Sequence, residues 1–537
     1  MNKPNAFRLT GRAAVFTLWL FSTAAVWPQT QPSLSQAGKL TLSDALQSTL
    51  ERHPFLEIQK NQVLINRGLR QQAAGPFDTV IGSGLGQDRN NNPLTQNQQL
   101  QALQAGVLAD NQRSDLMTYG LNQSKLFRNG VTFASSFNVN RNVDNLTSIA
   151  GVNNSYLGFS VGVPLRRGWG RDVVTARETA AAVETGASQL DLNQLAAQLL
   201  ANTAASYWNL VAAQQALEIA LDSERRGALY VNNVQALIDA DRVPRSDIYE
   251  VNANRADRSA ARIASQQSVI SARQQLALDM GLSVDHMANL PNAADAFPTT
   301  HAETGLADDA EALHSYLEES LRNRADYRAA YRRIQEARLG LQAAKNLLLP
   351  QFDFNIKAGY IGLAEGRQFS HFFSSSFTDV RGMNASIGFT YSFQHKNNEA
   401  QGRVLQAEAT LKQAELRKLE IERNTSATLS TVVQAVHNAS LRVKQAKESV
   451  QAFQSALSGE QEKYRLGNGS VVNILSVEDR LTNALFNQVQ AELTYALSLT
   501  QLRLASGTLV PADQGIQSVD PGLFLKPPFP QVPSSDN

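Results

Sequence analysis

The feature that most constrains this chain is that its 537 residues carry one unit twice. Leu276-Ala-Leu-Asp-Met-Gly281 returns 226 residues later as Leu502-Arg-Leu-Ala-Ser-Gly507. The same offset pairs Ile248 with Ile474 and Asp247 with Asn473, and it brings two heptad seams into phase. Leu210, Ala213, Leu217, Ala220, Glu224, Gly227, Val231, Val234 and Ile238 step by three and four. So do Leu429, Val432, Val436, Ala439, Val443, Ala446, Val450, Phe453 and Leu457. Sustained 3-4 spacing is the signature of helices packed along a seam. Asp172–Asp239 and Asn398–Leu466 contain no proline, so each predicts a helix of about 100 Å at 1.5 Å per residue. Lengths of that order do not fit in a compact globule.

The starts of the halves align at a different offset, 271, which sets Leu46 and Leu50 against Leu317 and Leu321. The difference leaves 45 extra residues in the first half. Between the helical parts of each half the hydrophobic period changes to two. Phe352, Phe354, Ile356, Ala358 and Tyr360 alternate with polar or small residues, and so do Met383, Ala385, Ile387, Phe389, Tyr391 and Phe393. The first half repeats the pattern at Val131–Val139 and Leu157–Leu165, weakly at Phe77–Leu85, and at Tyr119–Leu126. This last run joins Val131–Val139 through a tight Phe127–Gly130 turn. Runs of this length, apolar on one side and small or polar on the other, suit the wall of a transmembrane barrel around a wet lumen. Glycines Gly82, Gly84 and Gly86 are not followed by the Lys-Ser/Thr of a phosphate loop, and fit small lumen-facing positions better. Two or four strands per half cannot close alone, so the wall implies an oligomer. A soluble β-sandwich, or a periplasmic coiled-coil adaptor or scaffold, is the alternative reading.

Composition narrows the function. Lys and Arg number 49 against 48 acidic residues, which lacks the basic footprint of a nucleic-acid binder. With no cysteine, thiolate metal sites, disulfides and Cys nucleophiles are excluded, and the seven histidines show no ligand spacing. No catalytic constellation, cofactor loop or metal cluster emerges, so neither enzyme activity nor a cofactor is expected. Lys3, Arg8 and Arg12 precede the apolar run Ala13–Trp27 and a small-residue site at Ser35-Gln36-Ala37 or near Ala24-Ala25, which reads as an export signal over 1–37. An uncleaved anchor helix is the other reading. Cleavage would take the formal charge from +1 to −2. The division expected is repeat 1 over 38–282, a connector at 283–308 with Pro291 and Pro298, repeat 2 over 309–507, and a Pro-rich, poorly ordered tail over 508–537.

Leu40–Val63, Val163–Ala213, Leu341–Phe354 and above all Tyr464–Gly507 (YRLGNGSVVNILSVEDRL…LRLASG) resemble the TolC-like outer-membrane efflux protein family, over essentially all of residues 40–507. The resemblance implies an α+β chain, a long antiparallel α-helical coiled-coil tunnel plus transmembrane β-barrel strands closed by a homotrimer. It implies a passive conduit in the outer membrane with its tunnel in the periplasm, joined by a periplasmic adaptor to a proton-driven RND pump or an ABC pump. The family pattern has four strands per chain and twelve per trimer. Here the extra hairpin Tyr119–Val139 predicts either six and eighteen, or a hairpin outside the wall. In the larger barrel the Arg128-Asn-Gly turn is the short periplasmic one, and 90–116 and 142–154 are long external loops.

The helix–helix turns, Ala240–Asp247 and Leu466–Asn473, correspond to the family's adaptor-docking tips, here Arg242, Val243, Pro244, Ser246, Leu466, Gly467 and Ser470. The family's gate positions fall on Asp247 and Tyr464, which match. They also fall on Asn473 and Ser476, where the family has carboxylates, and on Gly469, where it has a basic residue. Glu250, one turn beyond Asp247, would give a trimer a second carboxylate ring, and such rings favour cations. Arg242 and Arg245 are candidates for locking ion pairs. Asp247-Ile-Tyr-Glu250 also reads as a helix cap with an acidic third residue.

Overall fold

The computed structural model describes residues 38–146, 148–283, 290–300, 310–377, 381–466, 468–510 and 519–528. The expected export signal, 1–37, lies outside them. The first half opens with a two-residue strand β1 (Lys39–Leu40) and the helices α1 (Leu42–Arg52) and α2 (Pro54–Ala74). Strand β2 (Val80–Pro93), a short helix α3 (Gln96–Gln104), and strands β3 (Asn111–Leu126), β4 (Thr132–Asp144) and β5 (Val152–Pro164) follow. One turn, α4 (Arg171–Val174), leads into the 64-residue α5 (Ala176–Asp239) and its return, α6 (Asp247–Asp279). Strand β6 (Asn292–Ala293) lies in the connector. The second half runs α7 (Ala310–Asn323), α8 (Ala325–Asn346), β7 (Gln351–Glu365), a short α9 (Phe369–Ser374), β8 (Arg381–Ser392), the 68-residue α10 (Asn398–Arg465) and α11 (Val471–Ala505). The order helix pair, β section, long helix, return helix thus occurs twice.

The local sequence accounts for these boundaries. Thr41 and Asp44 form a reciprocal capping box at the start of α1, and Leu42, Ala45, Leu46 and Thr49 form its buried stripe. Pro54 occupies the first turn of α2, where its missing N–H costs nothing. The two glycines of the repeated motif end α6 and α11 with φ of 71° and 70°. A Cβ on Gly281 would lie 2.6 Å from His53 Cα, and one on Gly507 would lie 3.0 Å from Arg324 Cα. His53 and Arg324 are the N-cap residues of α2 and α8. One contact therefore explains the glycine in both copies: the end of each return helix is laid on the start of the second short helix.

The long helices pack as antiparallel pairs, α5 with α6 and α10 with α11, and α5 also packs on α8 and α11. Of the second seam, Leu429, Val436, Ala439, Val443, Val450 and Leu457 are buried, and Val432, Ala446 and Phe453 partly so. Each such Leu or Val contributes roughly 1.5–3 kcal/mol. The largest cluster surrounds Tyr207 and Trp208, both fully buried. The Tyr207 hydroxyl donates to Asp295 Oδ2 at 2.7 Å and accepts from the backbone N–H of Asp295 at 3.2 Å, tying the connector to α5. The same strap pairs β1 with β6 in parallel.

The tail departs from expectation. Residues 519–528 fold back: Phe524 is fully buried in the main cluster, and Arg503 donates to the carbonyls of Leu523 at 2.8 Å and Lys526 at 3.0 Å. A large aromatic with a buried site and a buried arginine needing acceptors outweigh the local proline content. Residues 511–518 and 529–537 lie outside the described residues.

The six long strands form one antiparallel sheet in the order β2-β3-β4-β5-β7-β8. The hairpin of β3 and β4 is inside the sheet, continuous with it on both sides. Registers propagate across it: Lys125↔Phe133↔Val161↔Ile356↔Ile387 is one row, and Ser124↔Ala134↔Ser160↔Lys357↔Ser386 the next. Cross-strand partners share a face, so one face carries Leu85, Tyr119, Phe137, Leu157, Phe354 and Phe389, and the other Gly84, Gly120, Asn138, Gly158, Asn355 and Gly388. The strands have 12–16 residues, longer than the sequence suggests. Beyond the apolar stretch they continue through Asn- and Gln-rich segments, where alternation fades because both faces are polar but the ladder persists. The expected loops at 90–116 and 142–154 are accordingly shorter. The links are 94–110, which contains α3, and 145–151.

Candidate functional site

At the Phe127–Gly130 end the sheet meets the helices. Arg128 forms a two-point ion pair with Glu178 of α5, at 2.8 and 2.9 Å, and lies 4.8 Å over the Phe77 ring. The links from β2 to β3, from β4 to β5 and from β7 to β8 leave the opposite end of the strands. From the sheet, α5 and α10 run to the two helix–helix turns, where the candidate residues gather.

The first turn leaves α5 through Asp241 in the left-handed region, φ 53°, which returns the Arg242 N–H to the Leu237 carbonyl at 2.8 Å. Arg242, Pro244, Arg245 and Ser246 are exposed and Val243 half-buried. Helix α6 starts at Asp247 with Ser246 as its N-cap, and no side chain caps it. The cap reading of Asp247 and Glu250 is therefore corrected: Asp247 is the first helical residue, half-buried, and Glu250 is exposed on the following turn. Both carboxylates still sit favourably at the positive end of the helix dipole.

The second turn closes differently. Asn468 N–H bonds the Lys463 carbonyl at 2.9 Å, and Ser470 caps α11 by accepting from Val472 N–H at 3.2 Å. A Cβ on Gly469 would lie 2.9 Å from the Tyr464 nitrogen and 3.0 Å from its Cα. Any side chain at this position, the basic residue expected from the resemblance included, would require the turn to shift away from the Tyr464 backbone. Leu466 is exposed, as are Asn473 and Ser476 on α11. Gly467 lies outside the described residues.

Tyr464 links the two turns. Its ring joins Val234, Ile238, Val251, Val471 and Leu475 in one apolar cluster, and Val450, Leu457 and Ile474 in a second. Burial raises the pKa of its hydroxyl, and the nearby negative charge of Asp247 raises it further. Among the described residues that hydroxyl has no hydrogen-bond partner. The two positions that match the family's gate are thus neighbours within one chain.

Just above lies a feature that sequence reading missed. Glu478 of α11 is fully buried between two arginines of the other repeat. Arg226 of α5 pairs with its Oε1. Arg258 of α6, 6 % exposed, approaches its Oε2 at 3.3 Å, bonds Asp479 at 3.0 Å, and donates to the Ser223 carbonyl at 3.0 Å. Asn254 bonds Asp479 at 3.2 Å, and Arg262 pairs with Glu224 at 2.8 Å. Gly227 makes the room, since its Cβ would lie 3.0 Å from Arg258 Cδ. The signal was present: Glu224 and Gly227 interrupt the first seam, where the second has Val450 and Phe453, and Arg258 stands opposite Ala484 by the repeat offset. One hairpin is filled by hydrocarbon, and its counterpart by a cross-repeat ion cluster.

No protein-family profile and no curated protein matches the chain by sequence. Solved structures match by shape. The CmeC outer-membrane channel of Campylobacter jejuni superposes with a TM-score of 0.62 at 12 % identity, covering 88 % of this chain and 87 % of that one. The VceC outer-membrane protein of Vibrio cholerae gives 0.61 at 16 %, covering 87 % and 96 %. The outer-membrane channel OprN gives 0.61 at 17 %, covering 87 % and 89 %. The chain has the fold of these proteins.

Proposed function

We propose that this chain is the outer-membrane duct of a tripartite efflux or type I secretion system, a passive conduit without chemistry of its own. The observation that carries the reading is the pair of open edges on a sheet with one apolar face. Strands β2 and β8 bound the sheet, both almost wholly exposed, and they run in opposite directions. An isolated chain with two such edges is an aggregation hazard; β8 of one copy laid antiparallel on β2 of the next removes both. Three copies, as the family resemblance implies, then close eighteen strands, a size that leaves an aqueous lumen. The apolar face turns to lipid, the glycine- and serine-rich face lines the lumen, and the helices form the periplasmic tunnel.

In this arrangement the helical tip is the periplasmic entrance. Arg242, Val243, Pro244, Ser246, Leu466, Gly467 and Ser470 present the surface for a periplasmic adaptor, which links to an inner-membrane RND or ABC pump. Asp247, Glu250, Tyr464, Asn473 and Ser476 surround the constriction. The likeness to solved outer-membrane channels supports the location, and no described helix is long and apolar enough to cross a membrane. A periplasmic adaptor or scaffold reading leaves the apolar face of the sheet unexplained.

The chain lacks cysteine, so introduced pairs report without background. Single cysteines scanned along β2 and β8 are expected to give intersubunit disulfides in an outer-membrane trimer of about three times the mature mass. Crosslinks from β8 to β4 instead would place the β2–β3 hairpin outside a twelve-stranded wall. A soluble monomer would remove the duct altogether.

A further inference from the structure

The apolar face of the sheet ends abruptly. Along β7 it runs from Phe352 to Tyr360 and along β8 from Tyr391 to Met383, about 26 Å at 3.3 Å per residue, close to the height of a lipid-facing band. The two rows through Gln123 and through Leu121 carry no charge. Beyond the row of Tyr119, at the end away from the helices, the same face becomes cationic. Arg141 lies in the next row, paired with Met117, then Arg89 with Asp115, then Arg113 with Asn91. The β7–β8 connection folds back over this face: α9 packs on β4, β5 and β7, and Phe372 is buried there. That fold delivers a fourth arginine, Arg367, whose Nε donates to the Ile149 carbonyl at 2.7 Å and whose own carbonyl accepts from Arg141. The result is an open recess of about 460 Å³ lined by Arg113, Arg141, Arg367, Asp115 and Asp144.

The charges there do not cancel. Arg89 pairs with Asp115 at 2.6 Å, and Asp144 accepts from the backbone N–H groups of Leu146 and Ser148 at 2.8 and 2.9 Å. Four arginines face two carboxylates. The Arg113 guanidinium is exposed and has no protein partner among the described residues. A surplus of guanidinium groups at the margin between an apolar band and water, on the side away from the lumen, matches a phosphate attached to a lipid.

We propose that this recess binds the phosphorylated headgroup of an outer-leaflet lipid, the lipid A phosphates being the chemistry it fits. The acyl chains lie against Leu85, Tyr119 and the Tyr360 row below, clear of the part that α9 covers, and the phosphate sits among Arg113, Arg141 and Arg367. The inference rests on the outer-membrane reading above and has its own test. Binding of bis-phosphorylated lipid A to the detergent-solubilised oligomer is measured by native mass spectrometry, for wild type and Arg113→Gln/Arg141→Gln. The variant should bind at least tenfold more weakly, and fully dephosphorylated lipid A should bind wild type and variant alike. Arg113→Gln alone, at an exposed side chain, serves if the double variant assembles poorly. Inorganic phosphate competing at the same concentration as lipid A would show a plain anion site and overturn the lipid assignment, as would equal lipid A binding by an intact variant oligomer. Failure of the outer-membrane reading looks different, because the chain then yields no outer-membrane oligomer to titrate.

Discussion

Replacing Arg258 with alanine tests whether the ion cluster joins the two repeats near the tip. Glu478 is fully buried and would keep only Arg226, which is itself about one third exposed. Removing one partner of a buried pair costs about 3–5 kcal/mol, because the remaining charge stays out of water. Arg226 softens the loss, which places the expected cost near the lower end, about 3 kcal/mol. At 1.4 kcal/mol per tenfold, local opening of the hairpins becomes about 100-fold more frequent. Hydrogen exchange on the assembled protein reads this directly. Amides in 251–262 and 474–484 should exchange faster by about that factor, and those around Leu429–Val443, in the hydrocarbon-filled seam, should not change. The second repeat supplies a rescue. Gly227→Phe/Arg258→Ala/Glu478→Gln imitates Phe453 and Ala484 and removes the stranded charge, so protection should return to within tenfold of wild type. Less than a threefold change in Arg258→Ala, or an equal change in the reference seam, would refute the reasoning.

Other expectations follow from the same geometry. Burial, and then the charge of Glu184, push the Glu336 carboxyl up to about 7, against the opposing pull of Arg333. The folded chain therefore holds that proton more tightly than the unfolded one, and stability falls as pH rises from about 4.5 through 7. With the group half exposed the cost is on the order of 1 kcal/mol; the wild-type melting temperature should drop between pH 5 and 8 relative to Glu336→Gln, and parallel curves would argue against it. Gly469→Ala forces a Cβ onto the Tyr464 backbone and should raise protease cleavage at the second turn, whereas Gly340→Ala, with open space around it, should not. If Asp247 and Glu250 form carboxylate rings, Asp247→Asn/Glu250→Gln should reduce cation selectivity in planar bilayers; unchanged selectivity removes them from the constriction.

The long helices, the repeat and the alternating strands were legible because each is a periodic demand of one face on its environment. The glycine ending each return helix stood out by its recurrence. Strand ends were less legible, because a ladder through Asn and Gln is held by backbone bonds and a shared register that single-strand composition does not record. Phe524 was hidden by the prolines around it. At the tip, the matches at Asp247 and Tyr464 could be read from position, and the structure makes them neighbours. The reason that Gly469 is glycine needed the turn itself. The ion cluster was half visible: Glu224 and Gly227 spoil a seam, but their partners Arg258, Arg262 and Glu478 lie on other helices, two of them on the return helix of the same hairpin and one in the other repeat, and no local pattern joins them.

The ladder between β5 and β7 sets a timetable for folding. It pairs Val152 with Glu365, more than two hundred positions apart, whereas α5 and α10 each close on a return helix across a turn of a few residues. Contacts between near neighbours in the chain form first, and distant pairings wait for the loops that they close. The helical hairpins and the strand pairs within each half therefore mature early, and the two parts of the sheet wait to be joined at β5–β7. The ladder β5–β7 is the last to form within the chain, and in the duct proposed above the contacts between copies at β2 and β8 would follow it.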